Sequence, residues 1–199
     1  LNAGGEFLGF LGAQKTAPSA FQIFWRMFQT KEQRESLQSL VPTEYNNMTM
    51  DENGFIYVTT STIDASSQQS AIDNKDKSAD YAPVKKLNPS GQDVMNRNGF
   101  YPPSGEVMVQ MTEMEGYNIT GPSKIIDVAL GPQGTWSIID EKRQKIYTYD
   151  EEGKLLFIFG DSGMQTGNLS SIQSIAYKDN DILVLDRTAN NITVYKRTE

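Results

Sequence analysis

Residues 126–160 read IDVALGPQGTWSIIDEKRQKIYTYDEEGKLLFIFG, and their pattern is the most informative in the chain. Its short runs of alternating apolar side chains are separated by residues that favour tight turns, Pro132 and Gly134 in one place and Asp150 and Gly153 in another. Alternation with a period of two is the pattern of a half-buried β-strand. The stretch therefore predicts a four-stranded antiparallel meander, with strands at 128–130, 136–139, 146–149 and 155–159.

The same unit recurs on both sides of this stretch. Downstream, Asp186 lies 46 residues after Asp140 and again ends a predicted second strand. Upstream, Gly54 lies 80 residues before Gly134 and again follows a predicted first strand. A recurring four-stranded meander of roughly 40 residues has the size of a β-propeller blade.

The repeats divide the whole chain into parts. We predict an all-β structure, a single partial propeller over residues 1–199 with about three four-stranded blades. Along the chain, the strands are grouped as one, four, four and three, which we write as the strand phase 1+4+4+3. The phase begins with a lone strand because Gly5–Gly12 repeats the spacing of Gly153–Gly160. The predicted parts are an orphan fourth strand at 5–12, a helical insertion at 13–43, a blade at 44–99 with an insertion at 61–83, a long loop at 100–124, a blade at 125–160 and an incomplete three-stranded blade at 172–199.

Two runs, DVALGPQGTWSIIDEKRQKIYTYDEEGKLLFIFG at 127–160 and IAYKDNDILVLDRTANNITVYKR at 175–197, resemble NHL repeats. The shared pattern is an apolar strand, a glycine turn, a strand that ends in Asp, and an amphipathic strand. The resemblance implies a six-bladed propeller that serves as a binding platform, here as a partial set of blades from a larger bacterial protein. The first blade departs from the pattern, with Thr60 where the others have Asp140 and Asp186.

Three blades are too few to close a ring, because propellers have about four to eight. Open ends would expose strand edges and apolar sheet faces, which favour association. Either flanking sequence supplies the missing blades, or two chains pair and the orphan strand of each completes the last blade of the other. The chain opens on Leu1 without an initiator methionine or a charged-then-apolar leader, so we expect a processed or trimmed protein.

All long connections are expected on one face of the ring, since turns alternate between two faces in an up-and-down meander. These connections are 13–43, 61–83, 100–124 and 161–172. Binding residues concentrate in long loops on rigid scaffolds, although loops also tolerate insertions that have no function. We therefore predict a binding surface on this loop-bearing face, with Phe100, Tyr101, Asp140, Arg143, Asp186 and Arg187 as its candidate residues.

The insertion near residues 18–40 is expected to be helical. Phe21, Phe24, Trp25 and Phe28 fall at i, i+3, i+4 and i+7 and make one apolar stripe. The stripe either packs across the propeller or docks a partner or a membrane surface. The insertion at 61–83, in contrast, is polar and serine-rich, and we expect it to be mobile.

Composition excludes several classes of function. The net charge of −7 argues against a nucleic-acid surface, which needs clustered Lys and Arg. The absence of Cys rules out disulfides and thiolate chemistry, and the absence of His rules out a histidine base or an imidazole zinc site. No apolar run is long enough to span a bilayer.

A calcium-dependent hydrolase must still be weighed, because six-bladed propellers include lactonases and phosphotriesterases built around a central Ca²⁺. A hard cation needs about six oxygen ligands, and the equivalent pair Asp140 and Asp186 is too few. We interpret both carboxylates as acceptors for backbone N–H groups of the following turn. No nucleophile motif is present, so no catalytic residue, metal ligand or cofactor is predicted.

These observations favour a non-catalytic binding or scaffolding module that acts through its loop-bearing face on a protein, peptide or glycan. One alternative is the Ca²⁺-dependent lactonase or esterase, and another is a membrane-peripheral module that uses the aromatic helix. The acidic, Cys-free composition, rich in Asn and Tyr, suits an extracytoplasmic or cell-surface setting in a bacterium, with the cytoplasm as the alternative.

Overall fold

The computed structural model describes residues 44–74, 82–97, 110–111, 118–119, 122–163, 165 and 167–197. These residues are mostly β-strand, with one α-helix and one short 3₁₀ turn. The strands are β1 (Asn47–Met50), β2 (Ile56–Thr59), β3 (Val84–Leu87), β4 (Gln110–Met111), β5 (Asn118–Ile119), β6 (Ile125–Leu130), β7 (Trp136–Asp140), β8 (Lys145–Tyr149), β9 (Leu155–Phe159), β10 (Ile172–Lys178), β11 (Asp181–Asp186) and β12 (Asn191–Tyr195). The helix is α1 (Ala65–Asp73), and the 3₁₀ turn is Pro132–Gly134.

Strands β6 to β9 form one four-stranded antiparallel sheet in chain order, which we call blade 2. Its register places Ile138 opposite both Val128 and Tyr147. The turns depend on glycine, since Gly134 and Gly153 have φ values of +72° and +76°. Glycine adopts such a conformation without strain because it has no Cβ. The positions of Gly134 and Gly153 in the sequence therefore determine where these two turns form.

Two three-stranded antiparallel sheets flank blade 2 in sequence. Blade 1 contains β1, β2 and β3, and blade 3 contains β10, β11 and β12. Their registers repeat that of blade 2: the pair Met48–Val58 in β1 and β2 stands where Val128–Ile138 stands in β6 and β7. The short strands β4 and β5 pair only with each other among the described residues.

Blade 1 differs from blade 2 in two places. An isolated bridge between Leu87 and Asp93 lies where a fourth strand is predicted. Between β2 and β3 lies α1, which begins where the Asp64 carboxylate accepts a hydrogen bond from the Ser67 N–H at 2.9 Å. Such a cap satisfies a backbone donor that the first helical turn leaves free. The polar helix has no apolar stripe from which it could be predicted.

An apolar cluster fills the space between blades 1 and 2. It joins Tyr57 and Val84 of blade 1 to Val128, Trp136 and Tyr149 of blade 2, among others. The Trp136 ring stacks on Tyr149 with centroids 4.6 Å apart, and its indole N–H donates to the Asp150 carbonyl at 2.9 Å. The indole is thereby buried without an unpaired donor.

A second cluster fills the space between blades 2 and 3. Ile139 and Ile146 of blade 2 pack with Ile175, Ile182 and Val184 of blade 3. The alternation along each strand therefore supplies two apolar faces to the central blade, one for each neighbour. The three sheets stack face to face, with the core divided between their two interfaces.

A row of polar side chains connects the first strands of the three blades. The Asp127 carboxylate of β6 accepts hydrogen bonds from Asn47 Nδ2 of β1 at 2.5 Å and from Ser174 Oγ of β10 at 2.6 Å. The first strands therefore lie side by side. Meanders stacked face to face with their first strands adjacent are the architecture of a β-propeller. The prediction of an all-β propeller segment with three blades is confirmed.

Some predictions fall outside the described residues. These are the orphan strand at 5–12 and the helical insertion at 13–43 with its stripe of Phe21, Phe24, Trp25 and Phe28. Among the helices of the described part of the chain, none is long and apolar enough to cross a bilayer.

Candidate functional site

A cavity of about 500 Å³ opens on the loop-bearing face. It lies where second strands end and first strands begin, because the antiparallel register places Asp140 beside Ile125 and Asp186 beside Ile172. All three blades contribute to the lining. The lining residues are Ser61, Ile63, Gln68, Pro122, Ser123, Lys124, Glu141, Lys142, Gln144 and Ser171.

Asp140 fixes the two segments of blade 2 that border the cavity. Its buried carboxylate accepts hydrogen bonds from the backbone N–H groups of Lys124, Lys142 and Arg143, at 3.0, 2.9 and 3.3 Å. The Arg143 guanidinium is also buried and lies 3.5 Å from the same carboxylate. A charge taken out of water needs such partners. Asp140 thus serves the cavity by holding its wall in place.

Asp186 makes the equivalent set of contacts in blade 3. Its carboxylate accepts hydrogen bonds from the N–H groups of Ser170 at 2.6 Å, Ser171 at 3.2 Å and Ala189 at 2.9 Å. Burial raises the pKa of Asp186, but backbone donors, including those of Ala189, Ser170, Ser171 and Thr188, outweigh burial and lower it below its usual value. The side chain therefore remains ionised, and it connects the residues that precede β10 to the turn that follows β11.

The six candidate residues of the loop-bearing face divide into three groups. Asp140, Arg143 and Asp186 are buried, so their side chains support the loops from below. Arg187 is exposed, and its backbone N–H donates to the Ser171 carbonyl at 2.9 Å, beside the cavity. The remaining two, Phe100 and Tyr101, lie outside the described residues.

The charged groups of the cavity come from residues that sequence reasoning missed. Lys124 Nζ and the Glu141 carboxylate form a half-exposed ion pair. Lys142 Nζ lies 3.5 Å from the Pro122 carbonyl oxygen. Their positions next to strand ends could have indicated a role in the cavity, since Lys124 precedes β6 and both Glu141 and Lys142 follow β7. Only the strand register shows that these segments are adjacent.

Gln144 connects the cavity wall to blade 3. Its amide Nε2 donates to the Glu141 carbonyl at 2.5 Å, and its Oε1 accepts from the Ile172 N–H at 2.8 Å. A side chain that satisfies backbone groups on two blades fixes their relative positions. The wall is therefore a preformed surface rather than a pair of independent loops.

The site offers ion pairing and hydrogen bonding. Ammonium groups donate, the Glu141 carboxylate accepts, and the serine and glutamine side chains can do both. Within the described ranges, no three acidic, Cys or His side chains are grouped so that they could hold a metal ion. The arrangement is suited to recognising a polar ligand by charge and shape.

No known protein family and no curated protein matches the sequence. Among solved structures, the chain is similar to the computationally designed Ika8 protein, with 13% identity over 77% of this chain and 33% of that chain, and a TM-score of 0.43. It is also similar to a streptogramin B lyase, with 15% identity over 79% of this chain and 56% of that chain, and a TM-score of 0.34. A catalytically inactive virginiamycin B lyase from Staphylococcus aureus gives 14% identity over 78% of this chain and 56% of that chain, and a TM-score of 0.30.

This chain therefore spans a third of the Ika8 protein and just over half of each lyase. At these identities and TM-scores, the likenesses do not determine the fold or the function. The assignment to a propeller depends on the blade order, the register and the packing of the first strands, as described above.

Proposed function

We propose that the chain is a non-catalytic binding module that holds part of a protein, peptide or glycan in the cavity of its loop-bearing face. The observation that carries this proposal is the cavity of about 500 Å³ with walls from three blades. That volume is in the range of small-molecule and side-chain sites. Hydrogen bonds of the Asp140, Gln144 and Asp186 side chains hold its walls, so binding requires little further ordering of the protein.

The cavity chemistry favours a ligand with acidic and hydroxyl groups. Lys142 and Lys124 provide two ammonium groups, of which Lys124 is already paired with Glu141. Ile63 and Pro122 add a small apolar part to the lining. A carboxylate or hydroxyl of the ligand would bind Lys142 and displace water from the serine and glutamine side chains.

We also propose that the blades are NHL-type repeats of a six-bladed, bacterial, extracytoplasmic protein. The repeat spacing between Asp140 and Asp186, and the backbone N–H groups that donate to each from equivalent positions, support an NHL-type unit. The acidic, Cys-free composition is compatible with an exterior setting in which the fold does not depend on disulfides.

The binding proposal is tested with peptide and glycan arrays probed with the fluorescently labelled chain. The matched variants are Lys142→Glu in the cavity and Lys154→Glu, an exposed lysine after the β8–β9 turn on the opposite face. Loss of one charge-assisted contact weakens binding roughly tenfold to a hundredfold. We therefore expect Lys142→Glu to lose the array signals at that scale and Lys154→Glu to retain them.

Two results would contradict the proposal. One is equal loss or equal retention of signal by the two variants, which would place recognition away from the cavity. The other is a folded wild-type chain that binds neither array, which would remove the support for a peptide- or glycan-binding module.

A further inference from the structure

The charge of the cavity on the loop-bearing face differs in sign from the charge of the chain. Among the described lining residues, Lys124 and Lys142 are positive and Glu141 is negative, which leaves a net positive charge. The chain as a whole has a net charge of −7. An anion is therefore repelled by most of the molecule and attracted by this part of its surface.

Backbone hydrogen bonds hold the three charged residues next to one another. The N–H groups of Lys124 and Lys142 both donate to the buried Asp140 carboxylate, at 3.0 and 2.9 Å. The Glu141 N–H donates to the Lys124 carbonyl at 2.9 Å. The three side chains therefore extend from one fixed piece of backbone, which is the requirement for selective recognition of a charged ligand.

Glu141 compensates one of the two lysines and leaves the other available. The Glu141 carboxylate is paired with Lys124 Nζ. Within the described ranges, the only hydrogen bond of Lys142 Nζ goes to the Pro122 carbonyl oxygen at 3.5 Å, and Lys142 has no carboxylate partner. A neutral pair attracts an anion much less than a lone ammonium group does. The lining thus offers one uncompensated positive charge, which matches an anion with a single charge.

Serine hydroxyl groups from all three blades complete the lining. They belong to Ser61 after β2, Ser123 before β6 and Ser171 before β10. Ser61 Oγ accepts a hydrogen bond from Asn46 Nδ2 at 3.2 Å, and Ser123 Oγ accepts one from the Arg143 guanidinium at 3.4 Å. A hydroxyl group that accepts one hydrogen bond can still donate its own proton. The lining is therefore suited to a ligand that carries several hydroxyl groups.

The balance of polar and apolar groups favours a sugar over a peptide. Ile63 and Pro122 are the apolar residues of the described lining. Peptide sites depend mainly on apolar or aromatic anchors and on pairing with an exposed strand edge. A sugar ring carries hydroxyl groups around its edge, and a uronic acid adds one carboxylate to them. A uronic acid therefore combines the two kinds of group that this lining can bind.

We propose that the cavity binds a uronic acid of a glycan, with the carboxylate on Lys142, and that Glu141 excludes sugars that carry a phosphate group. This ligand class rests on the proposed function, because it occupies the same cavity. A carboxylate carries one charge, whereas a phosphate monoester carries nearly two above its second pKa of about 6. The second charge finds no ammonium group, because Lys124 is held by Glu141. A charge that leaves water without a partner weakens binding.

NMR titration of the ¹⁵N-labelled chain tests this selectivity. The probes are D-glucuronate and D-glucose 6-phosphate at about pH 8, which share a sugar ring and differ in the charged group. We expect the wild-type chain to bind glucuronate more tightly. Glu141→Gln releases Lys124 and should raise the affinity for glucose 6-phosphate about tenfold and for glucuronate about threefold, because the interaction energy is proportional to the charge of the ligand.

Glu151→Gln is the matched control for the change in net charge. Glu151 is exposed in the β8–β9 turn on the opposite face, so its substitution should leave both affinities unchanged. The same spectra show whether each variant is folded. Tighter binding of glucose 6-phosphate by the wild-type chain overturns the proposal. Equal gains for the two sugars in Glu141→Gln, or equal gains in Glu141→Gln and Glu151→Gln, also overturn it.

A third probe separates a glycan from a peptide as the source of the carboxylate. N-acetylglutamate amide carries one carboxylate and no hydroxyl group, and it should bind more weakly than glucuronate. Equal binding of these two probes overturns the choice of a glycan.

Failure of this proposal is distinguishable from failure of the proposed function. If Lys142→Glu abolishes the array signals but the wild-type chain binds neither sugar, the uronic acid is wrong and the binding module stands. Absence of both the array signals and sugar binding overturns both proposals.

Discussion

Three buried aspartates hold this chain together by accepting hydrogen bonds from neighbouring segments. Asp140 and Asp186 each tie a second-strand end to the loop beside it, and this is the role that their repeat spacing suggests. Asp127 instead links the first strands of all three blades. Sequence reasoning did not single out Asp127, because its partners Asn47 and Ser174 are 80 and 47 residues away. A contact at that separation becomes visible only when the blades are stacked.

Asp186 makes the stability of the chain depend on pH. Its pKa is lower in the folded chain than its ordinary value of 3.8. A carboxylate with a depressed folded-state pKa stabilises the fold above its unfolded-state pKa, and this contribution is lost as the pH falls through the folded-state value. We expect the free energy of unfolding of the wild-type chain to decrease as the pH is lowered below about 4. Urea unfolding followed by circular dichroism between neutral and acid pH measures this decrease.

Asp186→Asn is the informative comparison for this pH effect. The amide keeps the shape of the side chain but removes its ionisation, so the variant should be less stable at neutral pH and should lose less stability on acidification. Asp161→Asn is the matched control, because that carboxylate is exposed and has one described donor, the Ser162 N–H at 2.8 Å. Identical acid slopes for wild type and Asp186→Asn would show that Asp186 does not carry the effect.

Strands and turns are the elements that the sequence predicts well. In blade 2, alternating apolar residues and the turn glycines Gly134 and Gly153 locate all four strands to within a few residues. Helix α1 is not predictable in this way, because its polar surface lacks periodicity and its start depends on the Asp64 cap. Alternation of apolar and polar residues with a period of two predicts directly which strand residues are buried. A single capping residue is much weaker evidence in the sequence for a helix.

Gly153 has a role beyond its own turn. A Cβ at this position would overlap the backbone carbonyl oxygen of Asn96 in blade 1, whereas a Cβ at Gly54 would meet nothing within 4 Å. Both glycines have positive φ, +76° and +81°. Gly54→Ala should therefore cost only the backbone strain of about 1 kcal/mol. Gly153→Ala should cost about 1–3 kcal/mol more, because the turn must move away from blade 1.

Urea unfolding of the two glycine variants measures this difference directly. Both substitutions add the same methyl group to a turn with the same sign of φ, so the strain common to both positions cancels in the comparison. Equal losses of unfolding free energy would mean that the β8–β9 turn does not pack against blade 1.

The lining of the candidate site depends on the packing of all three blades. The sequence predicts the face on which the cavity lies, because the long connections follow second and fourth strands. It does not predict the lining, since Lys124, Glu141 and Ser171 come together only through the register within and between blades. Asp140 and Arg143 were predicted as binding residues from the local repeat pattern. Both are buried, and they support the residues that line the cavity.

The most direct test of binding on the loop-bearing face is hydrogen exchange, measured by mass spectrometry with and without the strongest array ligand. Binding in the cavity should slow exchange in residues 61–63, 122–124 and 141–144, which contain the cavity lining, and should leave the turns at 131–134 and 150–154 on the opposite face unchanged. Protection confined to those opposite turns, with none at the cavity, would contradict it.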